Sequence, residues 1–173
     1  MRLSNQIVVL AITLVLTSTC AAQCSQPTPG AKSVLALAAS PVRHKVKSGS
    51  PVLLKVSMMN VSRHDVSVWT DAGDGENQYE VDVRDQKRRL PADTEYGKKR
   101  NGHVHLETLR FQDLLGSGAC VPLKRGKSID YEVDVSKLYH LEAPGKYYIR
   151  LQKADPESAA LVMSNTVRVT VLP

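Results

Sequence analysis

Two histidines and a glutamate alternate with apolar residues in the segment His103-Val-His-Leu-Glu107. On a β-strand, alternate side chains point to the same face, and their Cα atoms are about 6.5–7 Å apart. Two imidazoles at that spacing can chelate one metal ion. His103 and His105 are therefore the residues of this chain best placed to do chemistry.

The spacing around these histidines matches only the beginning of a known metal motif. Gly97, five further residues and then His103-x-His105 follow the opening of the cupin pattern. The glutamate then comes too early, and no Pro-x-Gly with a third histidine follows. Because a functional transition-metal site needs three or four ligands, we expect the pair to lie on the solvated face of an edge strand, with no metal or other cofactor bound. Metal binding through His103 and His105 is the alternative.

Two further groups of metal-ligating residue types have simpler explanations. The segment 71–77 is rich in Asp, Gly, Glu and Asn, but it lacks the spacing and the closing glutamate of an EF-hand. Those residues also favour a plain β-turn, which is what we predict there. Met58 and Met59, with His44 and His64 nearby in sequence, are ligand types for copper. Met58 falls on the apolar face of a predicted strand, so we expect it to pack in the core.

Catalytic motifs are missing from the sequence. Ser117 lies between two glycines but lacks the Gly-x-Ser-x-Gly elbow of a hydrolase nucleophile. Cys120 has no assignable base, and a disulfide competes for its thiol. There is no His-Glu-x-x-His motif and no Gly-rich phosphate loop after a strand. We therefore predict that the protein is not an enzyme.

The first 22 residues have the pattern of a cleaved export signal. Arg2 precedes a ten-residue apolar core, Ile7–Leu16, and small residues follow up to Ala22. The core is too short to span a bilayer, and a short signal with one positive charge is typical of bacterial export. We expect cleavage after Ala22 and a periplasmic or extracellular protein that begins at Gln23.

The three cysteines leave two questions open. Lipid attachment at Cys20 or Cys24 would anchor the protein to the membrane. A lipobox has a small residue such as Gly or Ala before its cysteine, whereas Thr19 and Gln23 precede these two cysteines. Once the signal is removed, Cys24 and Cys120 remain, and an oxidising compartment favours a disulfide between them. Against it, Cys24 lies in a Pro- and Gly-containing tail, residues 23–30, that we expect to be flexible.

The chain is basic, with 23 Lys and Arg against 17 Asp and Glu and a formal net charge of +6. We expect its basic clusters at turns and strand ends, mainly as a solvated rim. For an exported protein, the expected partner is another protein or an anionic envelope polymer, and nucleic acid is not expected. The clusters are Arg43/His44/Lys45/Lys47, Lys87/Arg88/Arg89, Lys98/Lys99/Arg100 and Lys124/Arg125/Lys127.

Most of the remaining chain alternates apolar and polar residues with period two, as in an antiparallel sheet with one solvated face. With 173 residues, the chain suits one domain. No helical periodicity is sustained, although 154–160 could form one helical turn. We predict a single β-sandwich over residues 31–173, with a closed barrel as the alternative. The predicted strands are Val34–Ala39, Val52–Met59, Asp65–Thr70, Tyr79–Arg84, His103–Phe111, Ser128–Val135, Tyr147–Gln152 and Val167–Val171.

Several segments give the chain a family resemblance. The motifs are Val52-Leu-Leu-Lys-Val-Ser-Met-Met-Asn60, Val121-Pro-Leu-Lys-Arg-Gly126, Asp130-Tyr-Glu-Val-Asp-Val-Ser136, Leu138-Tyr139, Pro144-Gly-Lys-Tyr147 and Ser164-Asn165. Over about 120 residues, the chain resembles secreted bacterial immunoglobulin-like proteins of unknown function. It is also similar to the β-domain of some secreted metallopeptidases and to a bacterial proteinase-inhibitor family. The resemblance implies an all-β, immunoglobulin-like antiparallel β-sandwich of about 7–8 strands. Antibody domains have a cysteine pair that bridges the two sheets over a core Trp, and this sequence lacks that pair.

These residues and patterns leave three functional hypotheses. The first is a non-catalytic binding or structural module of the bacterial envelope that presents loops to a partner. The second is a proteinase inhibitor that inserts an exposed loop into a protease. The third is a metal-binding protein that uses His103 and His105. The loops we expect to carry binding are Asp71–Asn77, Leu90–Gly102 and Leu114–Arg125.

Overall fold

A computed structural model describes residue 28 and residues 30–71, 75–102 and 118–173. Over these ranges the chain is all-β, as predicted, with ten strands and one short helix. The strands are β1 Leu35–Pro41, β2 Lys45–Lys47, β3 Leu53–Asn60, β4 Val66–Asp71, β5 Glu80–Asp85, β6 Gly118–Leu123, β7 Ser128–Asp134, β8 Gly145–Ala154, β9 Leu161–Met163 and β10 Val167–Leu172. The helix is α1, Glu95–Gly102, and two 3-10 helices cover Gly75–Asn77 and Val135–Lys137.

The strands form three sheets. A three-stranded antiparallel sheet has the order β1-β3-β7. A five-stranded sheet has the order β2-β10-β8-β5, and β9 pairs with the end of β8. In this sheet β2 runs parallel to β10, and the other pairs are antiparallel. The third sheet is the pair β4-β6.

One core is shared by the three sheets, because most of the strands alternate buried apolar residues with more exposed ones. Along β8, Tyr147, Ile149 and Leu151 are buried, whereas the residues between them are exposed. The predicted inside and outside faces are confirmed in this way for β3, β5, β8 and β10. The core cluster includes Leu54, Val56, Met58, Val83, Val133, Ile149, Leu151, Val167 and Val169.

Side chains from other elements cover the free edge of β1. The side-chain amide of Asn165 accepts from the Ala39 N–H and donates to the Ala39 carbonyl, both at 2.9 Å, as a neighbouring strand would. Nearer the start of the strand, the Asp155 carboxylate accepts from the Leu35 N–H at 3.0 Å. These contacts cover the edge of β1 at two positions and leave fewer backbone groups for another chain to pair with.

The structure also corrects parts of the sequence-based prediction. Leu90–Gly102 is not all loop, since α1 begins after Thr94, whose hydroxyl accepts from the Gly97 N–H at 3.0 Å. This capped helix is polar all round, so hydrophobic periodicity could not reveal it. Three strands, β2, β6 and β9, were not predicted. Two of them have only three residues, and β6 contains Gly118 and Pro122, which break the alternating pattern.

The remaining predictions concern one turn after β8 and two segments that the structure does not describe. Within the segment 154–160, where we predict one helical turn, Ala154 ends β8 and the next residues form a single turn, in which the Ala159 N–H donates to the Asp155 carbonyl at 3.0 Å. The predicted strand His103–Phe111 and the predicted signal peptide, residues 1–22, lie outside the described residues. Among the residues that are described, no helix has the length and apolar character needed to cross a membrane.

Candidate functional site

The predicted metal ligands His103 and His105 fall outside the residues that the structure describes, so metal binding there stays a prediction. Within the described ranges, no group of three or more His, Cys, Asp or Glu side chains is placed to hold a metal ion. Met58 is fully buried in the core, as predicted, and Met59 points outward. His64 is engaged by Glu157, whose carboxylate lies 2.8 Å from its Nε2.

Cys120 is disulfide-bonded, and its partner lies outside the described residues. The pairing with Cys24 therefore stays a prediction. Cys120 lies on β6 directly opposite Trp69 of β4. Side chains at opposed positions of an antiparallel pair point to the same face, so the disulfide and the indole are neighbours.

Parts of the three predicted loop segments meet at one end of the molecule. Tyr96 of α1 donates its hydroxyl to the Asn77 side chain at 3.3 Å. Arg100, later in the same helix, donates to the backbone carbonyl of Tyr79. Gly118, which begins β6, lies against the indole of Trp69. Of the segment Leu114–Arg125, residues 118–123 are strand rather than loop.

These contacts border a groove of about 470 Å³, which we call the Trp69 groove. It lies between the ends of β4, β5 and β8, the end of α1, and the turn that follows β8. Its lining includes Trp69, Tyr79, Arg100, Gln152, Lys153 and Leu161. Two large apolar side chains are presented to solvent there, since Trp69 is 41% exposed and Leu161 is 54% exposed.

The position of Trp69 follows from the strand that carries it. Val66 and Val68 of β4 are buried, so the alternation turns Trp69 outward. A Cβ atom on Gly118 would lie 2.6 Å from Cε2 and Cζ2 of the indole, which is too close for any side chain. The indole therefore rests on the Gly118 backbone. The sequence-based prediction overlooked Trp69 as a binding residue, although a Trp on the polar face of a predicted strand was a visible signal.

Beneath the groove, the ring of Tyr79 is buried. It packs edge-on against Tyr131, with 6.0 Å between the ring centroids. The ammonium of Lys153 lies 5.7 Å from the Tyr79 ring centroid and donates to the Gln78 carbonyl at 3.1 Å. Burial, together with the nearby Tyr131 and Asp130, raises the pKa of the Tyr79 hydroxyl above its ordinary value. Tyr79 therefore stays neutral, and its buried ring lines the floor of the groove.

The polar groups around the groove are engaged in structural bonds. Gln152 donates to the Glu80 carboxylate at 2.5 Å. Asp155 accepts from the hydroxyl of Ser33 at 2.7 Å and from the N–H groups of Leu35 and Ser158, both at 3.0 Å. Burial raises the pKa of Asp155, but these hydrogen bonds outweigh it and hold the pKa below its usual value. Among the described residues of the groove, no nucleophile is paired with a base.

Comparison with known proteins gives little beyond this geometry. No protein-family model and no curated protein matches the chain. One similar solved structure is the β-glucosidase EmGH1 from Erythrobacter marinus, at 13% sequence identity and a TM-score of 0.39. The match covers 81% of this chain and 16% of that chain, so the protein spans a small part of the glucosidase's length. A similarity of this size assigns neither a fold nor a function.

Proposed function

We propose that residues 31–173 form an immunoglobulin-like β-sandwich. The pairing of the strands and one tyrosine contact support this. The five-stranded sheet includes a parallel β2-β10 pair beside antiparallel β10-β8, and the other sheet pairs β3 with β7. Near the start of β8, the Tyr147 hydroxyl donates to the Ala143 carbonyl four residues upstream at 2.9 Å. That contact has the form of the tyrosine corner of immunoglobulin-like domains.

The proposed function is that of a non-catalytic binding module, exported to the bacterial envelope, that holds a partner protein at the Trp69 groove. The observation that carries it is the exposed indole of Trp69, which is the single Trp of the chain and lies beside the exposed Leu161. Burying such a pair against a partner removes apolar surface from water.

The surroundings of the groove suit a protein partner. Binding hot spots combine an aromatic anchor with a rim of polar groups that excludes water, and Trp and Arg are enriched in them. Here Arg100, Lys153 and Gln152 surround the apolar pair. The rim groups are already held by hydrogen bonds to Tyr79, Gln78 and Glu80. A rim ordered in advance loses little conformational entropy on binding, which favours affinity.

The size of the native complex tests this function. Wild-type protein released from the envelope should elute from a sizing column as part of a larger complex. Trp69→Ala should shift it to the size of the isolated protein, because the anchor is lost, whereas Trp69→Phe should retain most of the complex. Leu90→Ala is the matched control, since Leu90 is 52% exposed and follows the turn at the other end of β5. Elution of the wild type as an isolated protein, or a complex insensitive to Trp69→Ala, would contradict the proposal.

A further inference from the structure

The outward face of the five-stranded sheet is strongly basic. Every outward charged residue on β2, β8 and β10 is a Lys or Arg, and β5 adds Arg84 with the acidic Glu80 and Asp82. We call this surface the cationic face. Its basic residues, all exposed, are Lys45, Lys47, Arg84, Lys146, Arg150 and Arg168. Six basic and two acidic side chains give this face most of the net positive charge of the chain, which is +6.

Strand register places a tyrosine at the centre of the cationic face. Tyr148 of β8 lies between Arg84 of β5 and Arg168 of β10. Neighbouring strands are about 4.8 Å apart, so the Cα atoms of these two arginines are about 10 Å apart across Tyr148. Lys146 and Arg150 precede and follow Tyr148 by two residues on the same face. Tyr148 is 39% exposed and is therefore available to a ligand.

Few of these charges are neutralised within the protein. Asp82 lies 2.8 Å from Nε of Arg84 and 3.9 Å from a terminal nitrogen of Arg150, so one carboxylate serves two guanidinium groups. Among the described residues, Lys146 and Arg168 form no ion pair. Like charges held close together on a rigid sheet repel one another, and an anionic ligand relieves that repulsion.

The surface around Tyr148 is not flat. A depression of about 750 Å³ on one side is lined by three arginines and two carboxylates, namely Arg84, Arg88, Arg150, Asp82 and Asp85. Both carboxylates are already paired with arginines, Asp82 with Arg84 and Asp85 with Arg89. A second depression, of about 540 Å³, is lined by His44 and Arg168. Tyr148 and Thr166 line both depressions and therefore lie between them. A ligand that fills both depressions must be an extended chain that crosses the tyrosine ring.

We infer that the cationic face binds an acidic polysaccharide, with a sugar ring over Tyr148 and its carboxylate groups on the arginines at either side. The cations match the charge of such a polymer, and the paired depressions match its extended form. Protein surfaces that bind single-stranded nucleic acid stack successive bases on several aromatic rings. On the cationic face, Tyr148 is the single aromatic residue among the outward positions of the described strands. The surface therefore favours a sugar polymer over a nucleic acid.

Binding of labelled oligogalacturonate to the purified protein tests the inference, with neutral dextran and an oligo(dT) strand as comparison ligands. The affinity for oligogalacturonate should fall with rising salt, as expected of a charge-driven complex. Arg84→Gln/Arg168→Gln should weaken it about tenfold or more and make the salt dependence shallower. Lys55→Gln/Lys124→Gln removes the same charge from exposed positions elsewhere and should change the affinity by no more than about twofold.

The tyrosine variants separate stacking from charge. Tyr148→Ala should weaken binding about fivefold at unchanged salt dependence, and Tyr148→Phe should bind like the wild type. Equal weakening by the arginine pair and the lysine pair would mean diffuse attraction and would overturn the inference. So would tighter binding of oligo(dT), which would assign the face to nucleic acid, or no binding to oligogalacturonate. None of these results depends on the Trp69 groove.

Discussion

Asp155 joins two distant parts of the chain through a single carboxylate. One oxygen accepts from the Ser33 hydroxyl and the Val34 N–H, both at 2.7 Å, and also from Leu35. The other accepts from the N–H groups of Glu157 and Ser158 at 3.0 Å. Since Asp155 is buried, the strength of these bonds depends on its negative charge. The residue holds the start of β1 against the turn that borders the Trp69 groove.

Asp155→Asn should therefore lower the free energy of unfolding at pH 7 by about 2 kcal/mol, because a neutral amide replaces a charged acceptor. The pKa of Asp155 is lowered in the folded protein. Its contribution to the free energy of unfolding is therefore fully present above the pKa of Asp in the unfolded chain, near 3.9, and is lost as the pH falls through the lower pKa of the folded protein. Urea unfolding from pH 7 to pH 3 should show the gap between wild type and variant closing below about pH 4. The exposed Asp130→Asn control should change stability by less than about 0.5 kcal/mol at pH 7. A gap that stays constant with pH would contradict this role.

Both edges of the three-stranded sheet are partly covered by side chains rather than by further strands. The Asn165 amide covers β1 at Ala39. At β7, the buried carboxylate of Glu76 accepts from the Asp134 N–H at 3.0 Å and lies 3.2 Å from the ammonium of Lys137. The 3-10 helix that carries Glu76 packs so closely that a Cβ on Gly75 would lie 2.3 Å from the Glu132 carbonyl oxygen. Only glycine fits that approach.

The alternation of β7 can be tested by two substitutions at adjacent positions. Val133 is fully buried in the core, and the preceding Glu132 is exposed. Val133→Asp places a charge among apolar side chains and should cost several kcal/mol or prevent folding. Glu132→Ser should change the free energy of unfolding by about 0.5 kcal/mol or less. Similar losses from the two variants, measured by urea unfolding, would show that the inward and outward faces are assigned wrongly.

Some elements of this structure can be predicted from the sequence and others cannot, and the reasons are physical. Long strands such as β8 and β10 are visible because burial on one face imposes strict alternation. Helix α1 is held by the Thr94 cap and by the contacts of Arg100, and it has no apolar face to detect. The grouping of Trp69 with Leu161 depends on chain segments that are 92 residues apart meeting at one end of the fold. Register across β5, β8 and β10 decides which charges surround Tyr148, and periodicity alone carries no information on register.

At the scale of the whole molecule, β8 connects the two proposed binding surfaces. Its inward residues are fixed in the core, its outward residues Lys146, Tyr148 and Arg150 belong to the cationic face, and its last residues border the Trp69 groove. A strand paired on both sides gives both surfaces a rigid support. Together, the two proposals place a protein partner at one end of the molecule and an acidic polymer on its sheet face.

The central claim is that the Trp69 groove is occupied by a partner protein in the cell, and site-specific photo-crosslinking tests it most directly. A photoreactive amino acid replaces Leu161 in the groove or, as the control, Leu90, which has almost the same exposure. Crosslinking in living cells should join position 161 to one partner protein, and this product should disappear when Trp69→Ala is added. Position 90 should give no such product. Absence of a product at 161, or a product that survives Trp69→Ala, would contradict the account.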